Sequence, residues 1–271
     1  MAKKKKTRRI TKTKKINQNF LKRYCNLVPD PFDPRDFQYG AGIVGLRAPA
    51  IPKRVDYSNE TEPVGDQRYT GSCVGWASAY GLRNWLRYQE TGQKQPKFSV
   101  RFAWMGAKEH DPFELNVAFD LSGTRIRDAF KIMRKFGACP DKLWPFSKLL
   151  PNPDYEDRIR REAMRHRIGI YYSLVTNQER RIHLAKEGPF VVGVPVYSNW
   201  ATIDASGVVP GPGGAFRGGH ALLVVGYDDK TQLFKFQNSW GSNWGDKGYG
   251  YLTYEYMKNH SWSSWGAERL R

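Results

Sequence analysis

Four residues of this 271-residue chain sit in short contexts that suit nucleophilic catalysis. Cys73 closes the stretch Gly65-Asp66-Gln67-Arg68-Tyr69-Thr70-Gly71-Ser72-Cys73 and opens a helix-like run, with Gln67 six residues before it. Only the thiolate reacts, and a free thiol with a pKa of about 8.5 is mostly protonated at neutral pH, so such a site needs positive potential. A helix N-terminus supplies some of it and a neighbouring imidazolium supplies more. His220, in Gly218-Gly219-His220-Ala221-Leu222, is the candidate partner that takes the thiol proton and later delivers it to a leaving amine. Asn238, in Phe236-Gln237-Asn238-Ser239-Trp240-Gly241, is suited to accept the other ring N–H and fix the tautomer, with Trp240 shielding that bond from water. The backbone N–H of Cys73 and the side-chain amide of Gln67 are the candidate donors to the oxyanion of a tetrahedral intermediate. Together these residues read as a cysteine hydrolase working through an acyl-thioester.

Such residues need elements that hold them. Apolar spacing predicts a helix over 74–90 through Ala77, Tyr80, Gly81, Trp85 and Tyr88, stopped by Gly92. Two more are predicted over 99–108, capped by Ser99, and over 124–136, where Ile126, Ala129, Phe130, Met133 and Phe136 share a face and Gly137 ends the run. Past residue 165, short apolar runs at 168–174, 190–196, 221–227, 233–237 and 249–254 predict strands, with one helix at 178–186. The glycine-rich stretch 207–219 reads as a loop leading to His220. The expectation is an α+β chain: a helical lobe over about 70–165 carries the nucleophile, a sheet lobe over about 166–257 carries the base, and a cleft between them holds the reaction.

Charge divides the chain differently. The net charge is +18, and residues 1–23 hold eleven Lys and Arg residues with no acid. Residues 1–27 therefore read as a disordered basic arm, 28–54 as a Pro-rich extended lead-in, and 55–271 as the catalytic body. Residues 3–23 are a candidate contact for nucleic acid or another polyanion, although base stacking by the arm is unsupported because no aromatic precedes Phe20. The arm is not followed by the apolar region of a secretory signal, and no run approaches the roughly 20 apolar residues of a membrane span. With three cysteines, Cys25, Cys73 and Cys139, this places the protein in a reducing intracellular setting: cytoplasmic, or nuclear or virion-associated if the arm is an address or a nucleic-acid contact. No residue spacing implies a metal or an organic cofactor, and His110, His166, His183 and His260 read as surface or structural residues.

At Gln67, Cys73, His220 and the Asn238–Gly241 element, the chain resembles the papain-like cysteine peptidases. The continuation from Ser242 to Tyr251 is also similar, and weaker similarity at 137–146 and 188–190 extends the resemblance over roughly Val55 to Met257. The resemblance implies a two-lobed fold with a helical N-terminal lobe and an antiparallel β-barrel-like C-terminal lobe. It implies hydrolysis of polypeptides with Cys73, His220 and Asn238 as the catalytic residues, Gln67 and Cys73 as the oxyanion hole, and Trp240 in support. An exopeptidase or amide hydrolase uses the same chemistry. A non-catalytic fold member that binds a polyanion through its arm is the alternative, disfavoured by the intact constellation. Two positions depart from the family: Val74 stands where Trp often follows the nucleophile, and Thr70 where a further Cys often lies, so the usual disulfide near the site is not expected. Residues 1–54 lack the family's helical inhibitory prosegment, which leaves control to the lead-in, a partner or localisation.

Overall fold

The structure is a computed structural model that describes residues 23–42, 50–110 and 120–269. Cys73 opens a continuous helical stretch made of α1 (Cys73–Gly75), a π-helical segment (Trp76–Arg83) and α2 (Asn84–Thr91). Gly92 stops it in the left-handed conformation at φ 68°, where a Cβ would be strained. α3 (Val100–His110) begins as expected, with Ser99 Oγ accepting from Phe102 N at 3.1 Å. α4 (Ile126–Lys135) buries Ile126, Ala129, Phe130 and Met133 of the expected stripe, whereas Phe136 caps the helix and is exposed. α5 (Glu156–Met164), α6 (Asn177–Lys186) and α7 (Tyr254–His260) follow, and a capping box between Thr176 and Glu179 starts α6.

Eight strands among the described residues form one sheet: β1 (Cys25–Asn26), β2 (Arg54–Asp56), β3 (Tyr171–Ser173), β4 (Phe190–Tyr197), β5 (Phe216–Asp228), β6 (Leu233–Gln237), β7 (Tyr249–Thr253) and β8 (Ser263–Ala267). Its path runs β3-β8-β4-β5-β6-β7, with β1 and β2 also joined to β5. Every pairing is antiparallel except β1 with β5. The fold is α+β as expected, but the path is open, ending at β3 and β7, where a barrel-like closure was anticipated.

The sheet is buried on both faces, which explains its continuous apolar runs. Val192, Val194, Leu222, Val224, Phe234, Phe236 and Leu252 face one core with Trp200 and Trp244. Val191, Ala221, Leu223 and Val225 face the other, packed on Cys73, Val74, Leu82 and Leu86 and on Ile126, Phe130 and Met133 of α4. Each such Val or Leu contributes about 1.5–3 kcal/mol by leaving water. The helix that begins at Cys73 is thereby pressed against the strand that carries His220.

Several boundaries differ from expectation. Phe216–Gly219, read as loop, belongs to β5, so His220 lies inside the strand rather than at its start. Residues 1–22 of the expected arm lie outside the described residues, but 23–27 are ordered and include β1. The lead-in packs on the body through half-buried Asp30, whose Oδ2 accepts from Ser263 Oγ at 2.8 Å and Trp265 Nε1 at 2.7 Å, and whose Oδ1 accepts from Arg127 N at 3.2 Å. Arg127 also pairs with Asp36 at 2.7 Å. These contacts tie residues 30–36 to the start of α4 and to β8.

Buried His183 is held near Tyr172 and Pro189 O, and burial pushes its pKa down to about 4. The folded value lies below the unfolded one, so the unfolded state binds the proton first and stability is lost as pH falls from about 6.5 towards 4. Thermal unfolding of the wild type is expected to shift down over that window more steeply than that of His183→Gln.

Candidate active site

The site is assembled from three places. Cys73 comes from the first turn of α1, is fully buried, and packs in the core that includes Ala221. Burial pushes its thiol up to about 11, partly offset by backbone N–H groups of Ala221, Val74 and Cys73 itself. His220 comes from β5 and is also fully buried. Its Nε2 lies 2.8 Å from Asn238 Oδ1, which follows β6. An amide oxygen only accepts, so Nε2 carries the hydrogen and, in the neutral ring, Nδ1 is the free base. Asn238 Oδ1 also accepts from Ser239 N at 2.8 Å, which fixes the carboxamide's orientation. Nδ1 is buried without a hydrogen-bond partner, the state of a base free to take a proton.

Trp240 stacks on His220 with centroids 4.5 Å apart and an interplanar angle of 24°. Trp200 and Trp244 pack against Trp240, at 5.9 and 5.4 Å. This aromatic wall keeps the His220–Asn238 bond in a dry surrounding, where it is stronger than in water. Burial pushes His220 down to about 4; Asn238 opposes that shift and Arg23 adds to it. In this state thiol and imidazole are both neutral.

The cleft is filled by the chain itself. Arg23 donates to Asp66, to Arg68 O at 2.8 Å and to Trp240 O at 3.2 Å. Burial raises the Asp66 carboxyl, but hydrogen bonds from Arg23 and Arg68 outweigh it, so the group is held below its usual range. Tyr24 O then accepts from Gln67 Nε2 at 3.2 Å. β1 pairs in parallel with Gly218 and Gly219, Leu27 N donates to Gly219 O at 3.0 Å, and Val28 N donates to Thr124 O at 3.1 Å. Asn26 Nδ2 bonds Leu121 O on the opposite wall. Two glycines make room: a Cβ on Gly218, whose φ is +113°, would lie 1.8 Å from Cys25 O, and one on Gly123 would lie 1.6 Å from Asn26 O. The walls are shaped for an extended backbone passing between them.

Gln67 is fixed by Ser239 Oγ donating to its Oε1 at 2.7 Å and by Nε2 donating to Thr70 O at 2.8 Å. Of the two expected oxyanion donors, Gln67 reaches the carbonyl now in the cleft. The structure thus brings Gln67, Cys73, His220, Asn238 and Trp240 into one neighbourhood.

Residues 51–264 match the family described as papain family cysteine protease. The chain belongs to this family. Among solved structures, xylellain, a cysteine protease from Xylella fastidiosa, is similar to this papain-family chain at a TM-score of 0.77 and 30% identity, covering 96% of this chain and 100% of that one. A procathepsin B from Trypanosoma congolense shares the fold at a TM-score of 0.67 and 16% identity, over 92% of this chain and 86% of that one. A peptidase C1-like protein of Acanthamoeba polyphaga mimivirus is 29% identical over 73% of this chain and 67% of its own length. Testin-2 of Mus musculus is 27% identical over 73% of this chain and 60% of its own length. Gamete and mating-type specific protein A of Dictyostelium discoideum is matched over only 42% of its length. Among the described residues, no helix is long and apolar enough to cross a membrane.

Sequence reading missed the cleft segment, Trp200 and Ser239. Ser239 stands inside the family's Asn-Ser-Trp-Gly element and its hydroxyl had an evident partner type in Gln67. Trp200 lies in a 3-10 turn (Ser198–Thr202) with no motif around it. Arg23 looked like one more charge of the arm.

Proposed function

We propose that the protein is a cysteine peptidase that hydrolyses polypeptides through a Cys73 acyl-thioester, and that residues 23–27 hold it latent. The observation that carries this reading is the peptide carbonyl of Tyr24 resting on Gln67 Nε2, between walls relieved of side chains at Gly123 and Gly218. A cleft that holds its own chain in an extended form has the shape to hold another.

In the open state, His220 Nδ1 takes the Cys73 proton and the resulting thiolate attacks a substrate carbonyl. The carbonyl oxygen, now an oxyanion, is held by Gln67 Nε2 and the Cys73 N–H. The imidazolium then protonates the departing amine, and the acyl-thioester is hydrolysed by water with the same base. Asn238 keeps Nδ1 facing the sulfur throughout.

Hydrolysis of a fluorogenic peptide panel by the full chain, before and after displacement of the segment, tests the reading; inactivity of the opened, folded protein towards every peptide would sink it. Within it, Gln67→Ala is expected to lower kcat about 10²–10³-fold, the usual loss for one oxyanion donor. Asn238→Ala removes an orienting partner rather than a reacting group, so it should cost less and displace the acidic limb of the pH profile, read by kcat/KM against pH.

The basic residues 3–22, without Arg23 that is engaged in the cleft, favour a separate polyanion contact, independent of the cleft chemistry. Salt-sensitive binding to a nucleic acid should survive Cys73→Ser and disappear when residues 1–22 are removed.

A further inference from the structure

The segment that occupies the cleft carries a thiol. Cys25 is buried, and it is bracketed by contacts to the proposed catalytic residues' neighbours: the preceding carbonyl rests on Gln67 Nε2, and Leu27 N donates to Gly219 O beside His220. Cys25 itself stands opposite Gly218, two residues before His220. Cys73 belongs to the core on the helical face of the sheet, next to the Ala221 N–H that follows His220 on β5, and Cys25 to the core on the face that carries Leu222 and Trp240. Both sulfurs are free. Burial and then the Cys73 sulfur push the Cys25 thiol far above its ordinary value, so the two feel each other electrostatically.

We infer that Cys25 and Cys73 form a reversible disulfide that locks the segment in the cleft under oxidising conditions. This rests on the reading of Cys73 as the reactive thiol. The co-reactant is a low-molecular-weight disulfide. When the segment lifts, the Cys73 thiolate attacks one sulfur of oxidised glutathione, forming a Cys73–glutathione mixed disulfide and releasing one glutathione thiolate. When the segment returns, the Cys25 thiolate attacks the Cys73 sulfur, the Cys25–Cys73 bond forms, and the second glutathione leaves as thiolate. Two protein thiols are oxidised, one glutathione disulfide is reduced, and two protons pass to solvent.

The second step is intramolecular. Asp30 is clamped by Ser263, Trp265 and Arg127, so Cys25 hangs on a tether five residues from a fixed point, and short tethers give effective concentrations on the order of millimolar. Cys139 is a built-in control: it packs with Leu143, Ile159 and Ala163, outside the segment that docks in the cleft, and its Sγ bonds Pro140 O.

The test treats the full chain with oxidised glutathione and maps disulfides by non-reducing peptide mass spectrometry, alongside Cys25→Ser and, should that variant fold poorly, Cys25→Ala. The wild type is expected to yield a 25–73 cross-link without retained glutathione, to lose labelling of Cys73 by an epoxide peptide inhibitor, and to regain it with dithiothreitol. The Cys25 variants are expected to stop at glutathionylated Cys73. Retained glutathione in the wild type at the level of the variants, a link to Cys139, or no modification of Cys73 would each overturn the proposal. Mass mapping requires no peptidase activity, whereas peptide hydrolysis by the reduced, opened chain judges the peptidase reading, so the two can fail separately.

Discussion

Cys73→Ala, made in a chain whose cleft has been opened, is expected to lose peptide hydrolysis by about 10⁴-fold or more, because it removes the sulfur that forms the acyl intermediate. The same substitution should abolish the single adduct formed by an irreversible epoxide peptide inhibitor, read by intact mass. His220→Ala should lose hydrolysis to a comparable degree while leaving the sulfur present. The two losses should not add in the double variant, since thiol and imidazole act as one unit. Residual hydrolysis in Cys73→Ala would assign the chemistry elsewhere. Adduct formation at Cys25 or Cys139 instead would show that the buried environment of Cys73 never yields a thiolate.

Leu27→Ala is expected to unmask the site. Leu27 is buried, and its Cδ2 lies 2.7 Å from where a Cβ on Gly193 would stand, so it packs against that glycine and Ile126. Truncating a buried leucine costs about 2–5 kcal/mol, and here the loss falls on the docked segment. If about 2–3 kcal/mol of it appears in the docking equilibrium, the open population rises roughly 30- to 150-fold. The rate of Cys73 labelling by the epoxide measures that population directly. Arg23→Ala removes the anchor on Asp66 and the two backbone carbonyls, and should move the rate the same way by a smaller factor. Acid should act in the same direction. His220 is held at about 4 in the docked state and returns towards about 6.5 once wet, so the open state binds the extra proton and docking weakens as pH falls through that window. Unchanged labelling in Leu27→Ala would mean that the segment is not what covers Cys73.

The constellation was legible in sequence because each member sits in a short context of its own. Gln67 and Cys73 belong to one loop and helix start, and Asn238 and Trp240 to one turn, so only the partnership with His220 required long-range assembly. The strand runs Phe190–Tyr197 and Leu233–Gln237 were equally plain, since a sheet buried on both faces leaves unbroken apolar runs. Other elements gave little signal. α5 buries only Ile159 and Ala163 among charged residues, too few to make a stripe. β5 starts earlier than read because Gly218 and Gly219, which look like loop residues, are glycine to admit another backbone. β1 has two residues after a run of cations, and it is a strand solely by virtue of its partner nearly two hundred residues away. Local propensity carries no information about a pairing of that kind.

Gly218 pairs with Val196 on one side and Cys25 on the other, and Leu223 with Val191 and Gln237, so β1 and β6 share one edge of β5. Lifting β1 therefore bares a short length of sheet edge beside His220. A chain that takes its place joins the sheet by strand addition, held first by main-chain groups that every sequence possesses. Discrimination between such chains is then left to the few positions where a side chain must descend, as Leu27 does onto Gly193, and tolerance elsewhere follows from the edge itself.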